Sequence, residues 1–167
     1  MSTAVQTKPE SVQVEPNKII PVFALDAGNR WHKFGYRDFQ AKIASYRAVV
    51  PVFQEVAPSD LPDGTHLAEI DEIRTIVGTG AVGYGTRPTY QNADGAKWNY
   101  AQVFLLASLA ECGLFGEVNI EELRTVCPDT QNSEQVAALK AIKGKHRAVV
   151  NGKQVDLTVS NVAIYDE

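Results

Sequence analysis

What this chain can fold into is limited first by Ile19-Ile20-Pro21-Val22-Phe23-Ala24-Leu25, an apolar run that halts at Asp26-Ala27-Gly28-Asn29. A run this short, closed by residues that favour turns, fits a strand buried on both faces better than a helix. Beyond it, His32, Phe34 and Tyr36 alternate with Trp31, Lys33 and Gly35. Period two marks a second strand, and the pair reads as a β-hairpin. An acid thus ends the inner strand, a glycine sits in the turn, and a lysine rides the returning strand.

The flanks set the extent of the folded unit. Residues 1–18 (MSTAVQTKPESVQVEPNK) are polar, hold two prolines and lack aromatic side chains. They read as a disordered tail, with too little apolar surface to offset ordering entropy, and the folded lobe is expected over 19–167. Ala48 to Val56 is a strand candidate broken at Pro51, as at an edge or bulge. A turn at Leu61-Pro62-Asp63-Gly64 precedes a polar strand candidate, His66 to Ile70. Asp94 is placed to cap a helix from about Ala96 to Cys112, stopped by Gly113 and apolar over much of its circumference. Leu123 to Cys127 reads as a short strand before Pro128. A second helix follows, with Asn132 and Gln135 spaced as a capping box and Gly144 at its C-terminal end. Arg147 to Val150, the Asn151-Gly152 turn and the alternation Val155, Leu157, Val159 predict a hairpin. The alternation changes phase at Ser160-Asn161 and resumes at Val162 and Ile164, which predicts a bulge or bend. Strands come first, then helices mixed with strands. The fold class is α/β, a mixed sheet with antiparallel hairpins at the front and helices packed on it.

Composition excludes several functions. The 167 residues suit one domain or one lobe of a larger protein, and 44% hydrophobic against 22% charged residues allow an ordinary core. A net charge of −4 argues against non-specific DNA binding but not against a small polyanion held by one lysine and backbone amides. Cys112 and Cys127 form no CxxC pair, and a reducing cytosol is expected. The longest apolar stretch, Ala101 to Ala110, is too short to cross a bilayer, and no basic-then-apolar secretory leader opens the chain.

Two stretches suggest chemistry. In the first, the turn after Asp26 exposes backbone N–H groups at Gly28 and Asn29, and amides turned to one point cradle an anion. Lys33 adds a point charge for the same phosphate, and Asp26 is suited to Mg²⁺ through water. An ordinary hairpin with a turn aspartate remains the commoner outcome of such spacing. In the second, Ile76-Val77-Gly78-Thr79-Gly80-Ala81-Val82-Gly83 matches the dinucleotide fingerprint. That motif needs a helix starting at the loop, yet Gly85 and Pro88 follow at once, and no ribose-binding acid stands where one belongs. A glycine-rich loop leaving a strand is the reading here. No GxxxxGK[ST] loop is present. The histidines are scattered, with no i, i+4 pair to suggest a metal site. Asp166-Glu167 ends an apolar strand, where a carboxylate can orient an attacking water or simply fray.

Phe23-Ala24-Leu25-Asp26-Ala27-Gly28-Asn29 with Lys33 resembles the first phosphate loop of actin-like ATPases, especially the ParM/StbA plasmid-segregation family and its archaeal relatives. Thr75-Ile76-Val77-Gly78, Lys97-Trp98-Asn99, Leu123-Arg124-Thr125-Val126-Cys127-Pro128, the Asn151-Gly152 hairpin and Val162 to Glu167 follow in that family's order. The resemblance implies an actin-like, ribonuclease H-like first lobe. It implies Asp26 as the Mg²⁺-associated aspartate, Gly28, Asn29 and Lys33 as phosphate contacts, and Glu167 as the residue that activates water. It also implies ATP and Mg²⁺ as cofactors and a cytoplasmic protein that self-associates into filaments. DNA would be reached only through an adaptor, and no membrane would be involved. A second phosphate loop and the adenosine-binding segments are not in these 167 residues, so the chain alone is expected to turn over little ATP. A non-catalytic assembly module of the same fold is the alternative, favoured by the bulk of Arg30-Trp31-His32.

Overall fold

The computed structural model describes residues 18–28, 30–51, 53–84 and 100–166. Ten strands and two α-helices are present among them: β1 (Lys18–Ala27), β2 (Trp31–Tyr36), β3 (Phe39–Ala44), β4 (Arg47–Val50), β5 (Thr65–Ile70), β6 (Ile73–Gly78), α1 (Ala101–Glu111), β7 (Gly116–Cys127), α2 (Ser133–Lys140), β8 (Gly144–Val150), β9 (Lys153–Val159) and β10 (Val162–Asp166). One mixed sheet runs in the order β3-β2-β1-β7-β9-β8-β5-β6-β4, with β10 also on β7. Antiparallel hairpins occupy the front, and β1, β7, β9 and β10 are parallel, as the α/β reading requires.

The central strands share one bend. In β7 the buried positions shift from Val118 and Ile120 to Leu123, Thr125 and Cys127. β1 shifts in step, from Ile20 to Phe23, Leu25 and Ala27. Pairing keeps the same offset through the bend, with Val159 opposite Ile120 and Val162 opposite Leu123. Ladder bonds from Ser160 N to Ile120 O and from Leu123 N to Asn161 O span it at 2.9 Å. No residue is inserted, so the phase change at Ser160-Asn161 is a bend shared by neighbouring strands and not a bulge.

Both helices feed one core on one face of the sheet, where Phe23, Leu25, Phe104, Leu106, Leu123 and Leu139 meet. On the other face of β1 Ile19 is 56% exposed and Ala24 is also open. The expectation that β1 is buried on both faces is therefore corrected: described residues cover only one. The opposite holds at the β4–β6 end, where Thr65 to Ala68 are all buried. There the face away from α1 is closed by a second cluster of Ala48, Val50, Leu67, Ile76 and Ala81.

Local expectations fare unevenly. The strand read from Ala48 to Val56 stops at Val50, before Pro51, on the sheet's outermost strand. β3 was not anticipated, although Phe39, Ala41 and Ile43 alternate with Gln40 and Lys42 in its sequence. It is reached by a tight turn at Arg37 with φ 52°. The short strand at Leu123 is in fact the last part of the twelve-residue β7. Helix α1 starts at Ala101, and Asp94, the expected cap, lies outside the described residues. Asn132 caps α2 by accepting from Glu134 N and Gln135 N. Gln135 does not complete the box, because its Oε1 accepts from the Cys127 thiol at 3.4 Å. The Asn151-Gly152 turn has φ 52° and 75°, the type I′ geometry its sequence demands.

Candidate nucleotide-binding turn

Parallel pairing of β1 and β10 with β7 brings the carboxyl ends of all three strands together at one edge of the sheet. This is where open α/β sheets take ligands. The turn from Asp26 to Lys33 leaves that edge. Asp26 pairs directly with Lys33 across the hairpin, so both side chains leave the sheet on the same face. Lys33 Nζ lies 3.2 Å from Asp26 Oδ2, with side chains 65% and 37% exposed. An exposed pair of this kind is worth only about 0–1 kcal/mol to the fold, so both groups can be turned to a ligand at little cost.

Gly28 is required by close packing, since a Cβ there would lie 2.6 Å from the Trp31 carbonyl oxygen. Two neighbouring carbonyls are tied down by one residue that the sequence did not single out. Ser45 Oγ donates to Gly28 O at 2.7 Å, and Ser45 N donates to Arg30 O at 3.0 Å. His32 Nδ1 stands 2.8 Å from the same hydroxyl. The bulk at positions 31 and 32 does not crowd the turn as its composition suggests. His32 is buried with its ring stacked on Phe104 at 3.6 Å and 4°, and Trp31 lies beneath the Lys42 ammonium at 4.6 Å. Ser45 gave no local signal because its contact with Gly28 spans seventeen residues and exists only through the β2–β3 register.

Asp26, Gly28 and Lys33 thus sit in one turn, while Asn29 and Glu167 lie outside the described residues. The strand leading to Glu167 is placed: Tyr165 pairs with Val126, in the row of the sheet that holds Asp26. Two strand spacings, roughly 10 Å, separate β10 from β1 there. Beside the turn the open sheet face forms a groove of about 800 Å³, lined by Val22, Ala24, Asp26, Lys33, Arg124 and Tyr165 among others.

The second glycine-rich stretch has another use. Residues Thr79–Tyr84 form a 3-10 helix, neither the expected loop nor the α-helix a dinucleotide site needs. Gly78 has φ 108°, and a Cβ on it would meet Gly64 O at 2.1 Å. Gly80 N donates to Thr65 Oγ1 at 3.0 Å, so this amide is already satisfied within the fold. Nor is there an activated thiol among the described residues. Burial, aided by Glu111, pushes the Cys112 thiol up to about 12, and Cys127 is buried.

Strand order, parallel core and the edge turn define an α/β lobe with an exposed acid and amine at the carboxyl edge of its parallel strands. Comparison with known proteins narrows this. The chain matches the model for the N-terminal domain of actin-like proteins over residues 24–167 and belongs to that family. Solved structures agree at the level of the fold. The apo pSK41 ParM protein superposes with TM-score 0.66 at 14% identity, covering 90% of this chain and 50% of that one. Ta0583, an archaeal actin homologue, gives 0.67 at 19%, covering 88% and 45%. An AlfA filament bound to AMPPNP gives 0.65 at 17%, covering 89% and 55%. The chain spans about half the length of the structures it matches. No curated protein matches the sequence.

Proposed function

We propose that this chain is the first lobe of a filament-forming, actin-like ATPase and carries half of an Mg-ATP site at the Asp26–Lys33 turn. The observation that carries this is the 3.2 Å approach of Lys33 Nζ to the Asp26 carboxylate at the carboxyl edge of the parallel strands. Lys33 turns from Asp26 to a phosphate oxygen, while the Gly28 turn allows the polyphosphate close to the backbone. One exposed carboxylate suits Mg²⁺, which keeps most of its water and needs few protein ligands. When bound, the ion neutralises charge between the phosphates. Glu167, following β10, is the residue proposed to orient the attacking water.

The AMPPNP held by the AlfA filament supports the nucleotide, and the filament structures of AlfA and Alp12 support self-association. Segregation of plasmid DNA through an adaptor, in the cytoplasm, completes the reading. No helix among the described residues is long and apolar enough to cross a membrane. With half a site the chain alone binds Mg-ATP weakly and turns it over little. Titration of Mg-ATP into the ¹⁵N-labelled chain is expected to give saturable shifts around residues 26–33. Asp26→Ala and Lys33→Ala are each expected to weaken binding about tenfold or more, the scale of a lost charge-assisted contact. Shifts centred on residues 78–83 would overturn the assignment.

A further inference from the structure

We propose that Ser45 and His32 are positioning residues that hold the phosphate turn open to an anion by drawing its carbonyls inward. The inference rests on the nucleotide reading of the turn. A serine hydroxyl has a single hydrogen, and Ser45 gives it to Gly28 O. The 2.8 Å contact with His32 is therefore a donation from His32 Nδ1–H to Ser45 Oγ, which fixes the imidazole tautomer. The ring cannot readily turn, being 1% exposed and stacked on Phe104 of α1. With Ser45 N held on Arg30 O, one residue grips a carbonyl on either side of the turn's tip.

The physical consequence is electrostatic. A carbonyl oxygen facing a polyphosphate repels it, whereas peptide units whose oxygens are tied to the interior present their positive side outward. Each peptide unit is planar, so fixing the oxygen fixes the unit. Burying a serine and a histidine beside Ile43 and Phe104 is costly unless their polar atoms are used, and the Ser45 hydroxyl and His32 Nδ1 are spent on the turn.

The test uses Ser45→Ala and, as the version that keeps a hydroxyl, Ser45→Thr. His32→Asn serves as a second, independent variant that keeps a donor near the Nδ1 position. Without nucleotide, long-range ¹H–¹⁵N spectra should show His32 carrying its proton on Nδ1. The carbonyl ¹³C shift of Gly28 should move in Ser45→Ala, while that of Arg30, held by the Ser45 backbone N–H, and the Asn151-Gly152 turn are unchanged. On titration with Mg-ATP, Ser45→Ala should weaken binding about tenfold, roughly one hydrogen bond, and Ser45→Thr and His32→Asn should lose less. Equal affinity in wild type and Ser45→Ala, or a loss matching only the unfolded fraction, overturns the positioning role and leaves the site intact. A wild-type chain with no Mg-ATP binding overturns the nucleotide reading and this inference together.

Discussion

Two turns in this molecule look alike as text and differ in what their glycines do. Both follow a strand of the one sheet, and both read as glycine turns that admit a phosphate. At Gly28 the neighbouring carbonyls are gripped from the interior by Ser45, and an acid and an amine stand exposed on the same sheet face. At Gly78 and Gly80 the glycines let the chain press against Gly64, Pro62 and Thr65, and the Gly80 amide is used up there. The first turn faces outward with charged groups to spare; the second joins two layers of the fold. Glycine patterns alone cannot separate these uses, because a missing Cβ serves a ligand and a neighbouring backbone equally well.

The contrast is broken most severely by Gly78→Ala. The new Cβ would fall 2.1 Å from Gly64 O, at a φ of 108° that side chains rarely adopt. A loss of about 3 kcal/mol or more is expected in chemical denaturation, while the folded fraction keeps its Mg-ATP affinity. Gly28→Ala should show the reverse balance. Its Cβ meets the Trp31 oxygen at 2.6 Å with no such backbone penalty, for a cost on the order of 1–2 kcal/mol but complete loss of Mg-ATP shifts. If Gly78→Ala lost the ligand and Gly28→Ala retained it, the two roles would have to be exchanged.

Why the sequence separated the turns only partly follows from range. The hairpin was legible because Asp26, Gly28 and Lys33 lie within one short segment and the strands alternate around them. Pro88 and the missing ribose acid gave local grounds to reject the second motif. By contrast, the grip of Ser45 on Gly28, the pairing of Gly80 with Thr65 and the open face of β1 arise from registers and layers that no local window contains. β3 was missed although Phe39, Ala41 and Ile43 alternate with Gln40 and Lys42; its burial does not follow that alternation, because its place is set by pairing with β2. His66, read as part of a polar strand, is buried because its partners arrive from α1 and the β8–β9 turn.

Asn151 sharpens the comparison at the structural end. Its Oδ1 accepts from Leu67 N at 2.9 Å and its Nδ2 lies 3.0 Å from His66 Nδ1, fastening the β8–β9 turn to β5 beside Thr65. Asn151→Gly keeps the positive φ without strain, so it isolates the side-chain bonds. The expected loss is about 1 kcal/mol, read from the denaturation midpoint, with Mg-ATP binding at the distant turn unchanged. A drop in affinity at equal folded fraction would show that the two ends are coupled.

The gentlest test is acidification, which acts on the same fastening through His66. Because Asn151 Oδ1 is committed to the Leu67 amide, Nδ2 must donate to His66 Nδ1, leaving Nε2–H to donate to Glu111 at 2.7 Å. The network therefore selects a neutral imidazole. Burial holds the His66 pKa below its ordinary 6.5, and the bond and charge of Glu111 only partly oppose this. Since the folded form resists the proton, the unfolded chain takes it up first as pH falls. This contribution to stability is present in full above the ordinary histidine value. It declines as pH drops from there toward the lower folded value. A protonated Nδ1 would face the Asn151 amide donor to donor, and the amide cannot flip without orphaning Leu67 N–H. His66→Gln should flatten this part of the stability–pH curve, and Mg-ATP shifts at residues 26–33 should persist in the variant. An unchanged slope would mean that His66 already accepts a proton in the folded protein, and the fastening at the glycine-rich end would need another source.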